Sequence, residues 1–191
     1  MLLDLALRID PALRVFYLDT GLLFPETLEF VGRVEARYGI SVIAVQPELT
    51  VVEQAQRHGE ALWERDPDAC CALRKVAPQR AFLKNYDAWI TGLHKTSLAT
   101  RADVSRVAWD AGANVVKVSP LALWSDSDLE AYAREKDIPV NPLLTAGFSS
   151  IGCMPCTRRT RHGEDPRAGR WPGFAKTECG LHIVIPSKSG V

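Results

Sequence analysis

The feature that most constrains the fold of this chain is the alternation of short apolar runs with amphipathic segments over its first 138 residues. Short apolar runs bounded by turn residues predict buried strands, and apolar residues spaced three and four apart predict helices. The predicted strands are Val15–Leu18, Ser41–Val45, Ala88–Thr91 and Val115–Val118. Strands that alternate with helices in this way predict an α/β fold, with a mainly parallel twisted sheet and helices on both faces.

The predicted helices carry recognisable end signals. Gly39 suits the position after a last helical residue, and Ser125 followed by Asp128 has the spacing of a capping box. Ligands bind at the carboxyl ends of strands in such sheets, so the turns at 19–21 and 91–92 are the predicted ligand-facing loops. The helices are predicted over residues 2–9, 25–38, 51–58, 70–83 and 125–136.

The character of the sequence changes at Pro139. Beyond this residue Pro, Gly, Arg and Cys dominate, and the apolar periodicity disappears. A chain of 191 residues forms one well-buried domain more readily than two. We therefore predict one α/β domain over residues 1–138 and a functional tail of the same domain, laid over the sheet, over residues 139–191.

Charge and cysteine content limit the classes of protein that the chain can represent. Twenty-three basic residues balance twenty-three acidic ones, so an anion site has to come from local clusters of Arg and Lys. Five cysteines without a signal sequence do not form a secreted disulfide framework, and no run approaches the roughly 20 apolar residues that span a bilayer. We predict a reduced cytoplasmic protein, without a membrane partner, whose cysteines carry metal or redox chemistry.

Four of the five cysteines form two pairs. Cys70 and Cys71 are adjacent, and Cys153 and Cys156 form a Cys-x-x-Cys motif far along the chain. Four thiolates in two pairs suit a metal centre, and adjacent cysteines serve two irons of a cluster more easily than they serve one ion. The spacing leaves a 4Fe–4S cluster and zinc both open. A redox dithiol and a pair of buried apolar cysteines are the simpler alternatives.

Cys179 stands apart from these pairs. It precedes Gly180 and lies three residues before His182, a setting that suits an attacking thiolate on a flexible segment. The alternative is an incidental cysteine near a chain end. The arginines that precede Cys179 favour the catalytic role, because an anionic substrate needs such groups nearby.

The stretch between Cys156 and Cys179 is rich in arginine and poor in acidic residues. Guanidinium groups bind phosphate and sulfate in a planar, bidentate fashion, so such a cluster suits a compact polyanion. A solvated basic face or a non-specific nucleic-acid patch is the alternative, but aromatic residues that would stack on bases are scarce here. We therefore predict no nucleic-acid partner. The arginines are Arg158, Arg159, Arg161, Arg167 and Arg170.

Several motifs in this sequence belong together. They are Cys70-Cys71-x-x-Arg74-Lys75, Ser150-Ile151-Gly152-Cys153-x-Pro155-Cys156-Thr157, Arg167-x-Gly169-Arg170-Trp171 and Lys176-x-Glu178-Cys179-Gly180-Leu181-His182. With Leu18-Asp19-Thr20-Gly21 and Lys117-Val118-x-Pro120-Leu121 they cover nearly the whole chain, which resembles the bacterial assimilatory adenylyl-sulfate reductases. The resemblance implies an adenine nucleotide alpha hydrolase-like fold, with residues 1–138 as the nucleotide-binding domain.

The resemblance also implies a role for each motif residue. The two cysteine pairs, Cys70 with Cys71 and Cys153 with Cys156, would hold a 4Fe–4S cluster. Relatives that reduce phosphoadenylyl sulfate lack both pairs, so adenylyl sulfate is the implied substrate. Cys179 would be the nucleophile. The implied substrate-binding residues are Leu18, Lys75, Gly92, Arg101, Arg167, Arg170 and His182.

The implied reaction is the thiol-dependent reduction of adenylyl sulfate to sulfite and AMP in assimilatory sulfate reduction, on the route to cysteine. The Cys179 thiolate attacks sulfur, and arginines stabilise the charge that develops on the departing AMP phosphate. An S-sulfonated Cys179 results, from which a thioredoxin- or glutaredoxin-type dithiol releases sulfite. A homo-oligomer is compatible with this function.

The sequence departs from the family pattern in two places. The family carries an N-terminal strand and a Ser/Gly-type phosphate loop before the helix that Met1–Ile9 resembles, and we expect both to be missing from the sequence as given. After the turn at 91–92 the family has paired arginines, where this chain has His94 and Lys95. Lys95 keeps the charge without the bidentate fork of arginine, so sulfate affinity or nucleotide preference should differ.

Three other functions stay open at this point. The chain could be a non-catalytic Fe–S or zinc-binding homologue that lost turnover with its phosphate loop, or a reductase of phosphoadenylyl sulfate. An ATP-splitting sulfur-transfer protein on the same fold is a third alternative. It would need the missing phosphate loop, and it gives no reason for the Glu178–His182 motif.

Overall fold

The fold is taken from a computed structural model, which describes residues 1–94 and 104–182. Helices and strands alternate along the chain, and each predicted strand forms, so the α/β class is confirmed. The strands are β1 (Val15–Leu18), β2 (Val42–Val45), β3 (Ala88–Ile90), β4 (Val107–Asp110) and β5 (Val115–Val118). The helices are α1 (Leu2–Ile9), α2 (Pro25–Tyr38), α3 (Val51–His58), α4 (Leu62–Arg65), α5 (Pro67–Cys71), α6 (Ala77–Leu83), α7 (Asp126–Glu135) and α8 (Pro142–Thr145).

The strands are distributed over two hydrogen-bonded sheets. β1 pairs with β2 in parallel, with Val15 opposite Val42. In the second sheet the order is β3-β5-β4, where β5 runs parallel to β3 and antiparallel to β4. The pairing is therefore mainly parallel, as the sequence predicted. The sequence indicated one sheet, whereas in the described part of the chain no strand joins β1 and β2 to the other three.

Strand β4 is the element that the sequence patterns missed. It forms a hairpin with β5, and the Asp110 carboxylate accepts hydrogen bonds from the backbone of Gly112 at 3.1 Å and Ala113 at 3.2 Å. Asn114 in the same turn has a φ of +57°. Asp, Gly and Asn are the residues that such turns favour, so the sequence of this turn does indicate a hairpin.

Local capping explains where several helices begin and end. Pro25 occupies the first turn of α2, and Gly39 ends that helix in the left-handed region with a φ of +64°. α3 and α7 each begin with a capping box, Thr50 with Glu53 and Ser125 with Asp128. In both boxes the hydroxyl accepts from the third helical backbone N–H while the acidic side chain accepts from the cap residue.

The predicted basic helix after the adjacent cysteines is built from three successive segments. α5 is followed by a π-helical turn, Ala72–Val76, and then by α6. The Asp66 side chain caps α5 by accepting from the Ala69 N–H at 2.9 Å. Short π-helical turns are rare in proteins, and those that occur are often found at functional sites. This one carries the buried side chains of Arg74 and Lys75.

The described residues divide into two compact units. We call residues 1–14 with the described part of 80–139 the β5 unit, and residues 15–79 with 140–182 the cysteine unit. Residues 140–182 therefore fold together with residues 15–79. The β5 unit buries Leu83, Trp89, Val115, Leu121 and Ala122. The helices among the described residues include none with the length and apolar character that a membrane crossing requires.

Candidate active site around the cysteines

The cysteine unit brings both cysteine pairs into one buried region. Cys70, Cys71, Cys153 and Cys156, which we call the cysteine cluster, are each 5–7% exposed. All four are free thiols. Three of them pack with Trp171 in one core group, namely Cys71, Cys153 and Cys156.

The Cys-x-x-Cys motif is held in place by the loop that follows β1. The backbone N–H of Met154 donates to the Leu22 carbonyl at 2.7 Å, and Leu23 forms an antiparallel bridge with Cys153. The Thr20 hydroxyl lies 3.2 Å from Cys153 Sγ. The loop at 19–21 was predicted to face a ligand, and its Thr20 contacts a cysteine sulfur.

The adjacent cysteine pair is supported by a polar network centred on Arg74, which is 2% exposed. Its guanidinium donates to the backbone carbonyls of Thr20 and Leu49 and, at 3.1 Å, to the Gln54 side-chain oxygen. The Gln54 amide nitrogen is directed at Cys70 Sγ, 4.0 Å away. Arg74 thus connects the residues that touch one sulfur of each cysteine pair, because Thr20 touches Cys153.

Three thiols of the cysteine cluster, those of Cys70, Cys71 and Cys156, are in an environment that disfavours the free thiolate. Burial raises the pKa of Cys70, and the neighbouring Cys71 and Cys153 add to the rise. Burial likewise raises the pKa of Cys71 and brings the pKa of Cys156 to about 11. Because thiolates bind metal ions, loading this site with a metal centre would release protons.

Lys75 lies among these sulfurs as a buried cation, 8% exposed. Burial alone would lower the pKa of Lys75, but negative charge at Cys153, Cys179 and Cys71 outweighs it and raises the pKa. The Lys75 ammonium is therefore electrostatically coupled both to the cysteine cluster and to Cys179.

Cys179 packs against the core group that contains three residues of the cysteine cluster, Cys71, Cys153 and Cys156. Its side chain is partly buried, unlike the four fully buried thiols. The fifth cysteine is thus brought to the same place as the other four, although more than twenty residues separate it from Cys156.

The five arginines of the basic stretch divide into two groups. Arg158 pairs with Glu164 at 2.8 Å, and Arg159 lies over the Phe148 ring, with 5.6 Å from its guanidinium carbon to the ring centroid. Arg161 is exposed. The remaining two, Arg167 and Arg170, both lie over Trp171 and both donate to the Ser150 hydroxyl.

Three cationic side chains of the site lie over the ring of Trp171. It is 2% exposed, and its φ of +45° places it in the left-handed region that residues with a side chain rarely adopt. The Arg170 guanidinium lies 4.5 Å, the Lys176 amine 5.3 Å and the Arg167 guanidinium 5.9 Å from its ring centroid. Cation–π attraction offsets part of the repulsion among these three positive groups.

Two glycines of the motifs are required by close packing around the arginines. A Cβ at Gly152 would collide with the Arg170 guanidinium, and a Cβ at Gly169 would collide with the Arg158 carbonyl. The glycines in the segments around Cys153 and Arg170 therefore leave room for neighbouring groups.

The other predicted substrate-binding residues are distributed over the chain. Leu18 ends β1 in the cysteine unit, and His182 is half-buried in a turn of the same unit. Gly92 follows β3 in the β5 unit, while Arg101 lies outside the described residues. Their roles in substrate binding stay predictions.

Of the two residues that depart from the family pattern after the turn at 91–92, the structure describes His94. His94 lies 3.0 Å from the Asp126 carboxylate, at the first residue of α7. Lys95 lies outside the described residues.

Sequence reasoning missed the polar residues that support the cysteines. Gln54 lies on α3, where no motif marks it, and only the fold brings it to Cys70 and Arg74. Asp68 of α5 pairs with Lys176, which precedes Cys179 by three residues. Spacing along the chain carries no signal for either contact.

The cysteine cluster fits a thiolate-bound metal centre in its chemistry. Among residues 1–94 and 104–182 no three His, Cys, Asp or Glu side chains lie ready to hold a single metal ion. The four thiols are nevertheless buried, free and electrostatically coupled. The Thr20 hydroxyl and the Gln54 amide contact their sulfurs, as outer-shell groups do around metal ligands.

Comparisons with known proteins agree with this arrangement. Residues 1–159 match the phosphoadenosine phosphosulfate reductase domain. An adenosine 5'-phosphosulfate reductase of Streptomyces coelicolor is 51% identical over 178 residues, which are 93% of this chain and 75% of that protein. One from Mycolicibacterium smegmatis is 45% identical over 96% of this chain and 78% of its own length.

A solved structure supports the same assignment of the fold. The phosphoadenylyl-sulfate reductase of Candida auris, in a phosphate complex, has a TM-score of 0.67 and 29% identity. The match covers 78% of this chain and 73% of that one. The chain belongs to the phosphoadenosine phosphosulfate reductase family, and the resemblance inferred from its motifs is confirmed.

Proposed function

We propose that this chain reduces adenylyl sulfate to sulfite and AMP in a thiol-dependent reaction of assimilatory sulfate reduction. The observation that carries the proposal is the packing of Cys179 against a core group that also contains three other cysteines and Trp171, on which Arg167 and Arg170 lie. A nucleophile and two anion-binding groups in one unit match the chemistry of attack on a phosphosulfate. The named relatives from Streptomyces and Mycolicibacterium support adenylyl sulfate as the substrate.

In the first half-reaction Cys179 displaces AMP. The Cys179 thiolate forms a bond to the sulfate sulfur, the bond from that sulfur to the bridging oxygen breaks, and AMP leaves with the electron pair. Arg167 and Arg170 bind the anionic group and stabilise the charge on the departing phosphate. Negative charge at Cys179 contributes to the raised pKa of the buried Lys75 ammonium, so the two groups are electrostatically coupled.

In the second half-reaction a dithiol of the thioredoxin or glutaredoxin type releases sulfite. One thiolate of the dithiol attacks Cys179 Sγ, and sulfite leaves with the electron pair of the sulfur–sulfur bond. The second thiol of the reductant then attacks the resulting mixed disulfide, which frees Cys179 and leaves the reductant as a disulfide. The two electrons that reduce the substrate therefore come from the dithiol.

We infer that the cysteine cluster holds a 4Fe–4S centre. When bound, such a centre would supply structural support and a local electrostatic field. The adjacency of Cys70 and Cys71 supports the cluster over zinc, since neighbouring cysteines serve two irons more easily than one ion. Leu18, Gly92, Arg101 and His182 complete the proposed substrate contacts, in a protein that we place in the cytoplasm.

A matched pair of cysteine variants tests the proposal. Cys179→Ser should keep its iron but form no sulfite from adenylyl sulfate and reduced thioredoxin, because serine is a far weaker nucleophile at sulfur. Cys156→Ser should lose the iron, since one of four metal-binding thiolates is gone. Iron per chain and sulfite release are measured on anaerobically purified protein.

Three results would contradict these assignments. A sulfonate mass shift that survives in Cys179→Ser would place the nucleophile elsewhere. A zinc-loaded, colourless and fully active protein would refute the 4Fe–4S centre. Absence of sulfite formation by the unmodified chain with its metal centre intact would favour a non-catalytic homologue, and faster turnover of phosphoadenylyl sulfate would change the substrate.

A further inference from the structure

Arg167 is shared between two parts of the site. Its guanidinium donates to the Ser150 hydroxyl, beside Arg170, at 3.5 Å. It also donates twice to the Thr177 carbonyl, from Nη2 at 2.8 Å and from Nε at 3.2 Å, and once to the Glu178 carboxylate at 3.3 Å. The residue to which we assign phosphosulfate binding therefore also holds the segment that leads into Cys179.

The ion pair between Arg167 and Glu178 is shielded from solvent. The side chain of Arg167 is 17% exposed and that of Glu178 is 11% exposed. The other arginine–glutamate pair in this region, Arg158 with Glu164, has side chains that are 40% and 26% exposed. Water therefore screens the Arg167–Glu178 pair less, although Arg158 and Glu164 make the shorter, bidentate contact, at 2.8 and 3.2 Å.

A second contact fixes the same segment. The Lys176 amine pairs with the Asp68 carboxylate on α5 and lies over the Trp171 ring. Residues 176, 177 and 178 are therefore each bound to groups of the cysteine unit, immediately before Cys179. Gly180 follows with a φ of +90°. The position of Cys179 thus depends on the contacts of three consecutive residues.

An incoming phosphosulfate would compete with Glu178 for Arg167. Both are anions, and four of the five N–H donors of the guanidinium are already directed at Thr177, Glu178 and Ser150, so a bidentate anion has to displace one of these acceptors. We propose that Glu178 is a positioning residue, which holds Cys179 beside the cysteine cluster through Arg167 and yields this guanidinium to the substrate. The inference rests on the proposed function, because it takes a phosphosulfate as the competing anion.

The exchange has a consequence for the tail. When the substrate takes the Arg167 guanidinium, Glu178 loses its ion pair with Arg167 and the segment before Cys179 loses this anchor. The nucleophile is then free to move toward sulfur and, once sulfonated, toward the dithiol. Substrate binding and the release of Cys179 are therefore coupled through one arginine, and removal of the Glu178 charge should affect both.

The test compares Glu178→Gln with Glu164→Gln in the full chain with its metal centre. Both variants remove one carboxylate from an arginine pair, but only the first touches Arg167. Without substrate, alkylation of Cys179 by iodoacetamide should be about fivefold faster in Glu178→Gln, since the loss of one ion pair is worth up to about 1 kcal/mol. It should be unchanged in Glu164→Gln. The rates are compared on the alkaline plateau, where they no longer change with pH, so that their difference reports access to the thiol.

The affinity for adenylyl sulfate gives a second readout, on which a positioning role and a purely structural role of Glu178 have opposite effects. In a Cys179→Ser background, Glu178→Gln should bind adenylyl sulfate about fivefold more tightly, because no carboxylate competes for Arg167. A purely structural role would loosen the site and weaken binding. Unchanged alkylation, or weaker binding of adenylyl sulfate, would overturn the proposal.

The two readouts also separate this inference from the proposed function. If the Cys179→Ser parent does not bind adenylyl sulfate, the proposed function fails, and the alkylation rates alone decide whether Glu178 positions Cys179. If Glu178→Gln does not fold, Glu178→Asp takes its place. It keeps the charge but shortens the reach to Arg167 by one methylene, and it should again speed alkylation.

Discussion

The two units of this chain bury different kinds of side chain. The β5 unit encloses mostly apolar groups, such as Leu83, Val115 and Ala122, which are 0–3% exposed. The β5 unit buries one cation, Lys117, whereas the cysteine unit buries three cations close to its thiols. Apolar groups need only close packing, whereas every buried cation requires partners, because an unpaired polar group in a dry environment costs free energy. The buried cations of the cysteine unit are Arg74, Lys75 and Arg170.

Because of this difference, we expect substitutions in the two units to affect different properties of the protein. In the β5 unit, a change in apolar packing away from Gly92, a proposed substrate contact, should cost stability alone. In the cysteine unit the buried polar groups fix the sulfurs and hold the anion-binding arginines, so a change there should alter the site and stability together. Matched substitutions in the two units should therefore reduce stability in both, and the content of metal only in the cysteine unit.

The largest effect is expected from Arg74→Met. This change leaves the carbonyls of Thr20 and Leu49 and the side-chain oxygen of Gln54 without their donor. Each buried acceptor that loses its partner costs about 1–3 kcal/mol, so we expect a loss of about 2–5 kcal/mol in the free energy of unfolding. Because Thr20 and Gln54 contact cysteine sulfurs, iron per chain should also fall. Denaturant titration and iron analysis measure the two effects.

Leu83→Ala in the β5 unit is the matched control for this prediction. Leu83 is 1% exposed, and truncating a buried leucine costs about 2–5 kcal/mol. The loss of stability should therefore be similar, while iron per chain stays at the level of the unmodified protein. Equal loss of iron in the two variants would show that the units do not differ in the way proposed.

An intermediate effect is expected from removal of the two capping boxes. Thr50→Ala in α3 and Ser125→Ala in α7 each delete the hydroxyl that caps a helix, which costs about 1 kcal/mol. Thermal unfolding should show similar losses. Only Thr50→Ala should also lower iron retention under mild chelation, because α3 carries Gln54 toward Cys70. Equal chelation rates in both variants would contradict this.

The smallest effect is a pH dependence from the acidic members of the same boxes. Hydrogen bonds from Thr50 lower the pKa of Glu53, and the Ser125 hydroxyl and backbone lower the pKa of Asp128. A lowered folded-state pKa adds stability that is present above the unfolded value, about 4, and is lost as pH falls through the folded value. The melting temperature of Asp128→Asn should fall less steeply below that pH than that of the unmodified protein. An equally steep fall would contradict the assignment.

Much of the fold was predictable because its signals are local. The bounds of α2 follow from Pro25 and Gly39, which act through the backbone conformation of their own positions. The strands β1 and β5 follow from short apolar runs between turn residues. The hairpin strand β4 was missed although its turn carries Asp110 and Asn114, and the division into two sheets depends on pairings between distant residues.

Residue types and their spacing are enough to assign the chemical groups of the site. The two cysteine pairs, the lone Cys179 and the arginine-rich stretch follow from residue type and spacing, and they were enough to identify the family. Residue type decides what a group can bind or attack, and this property does not depend on the fold.

The groups that support this chemistry are identified only by the tertiary contacts. It brings Gln54 and Thr20 to the sulfurs and separates Arg167 and Arg170 from the exposed arginines before them. It also shows that Arg167 holds Glu178, the neighbour of the nucleophile. Contacts between residues far apart in the chain depend on how whole elements pack, and no local pattern encodes that packing.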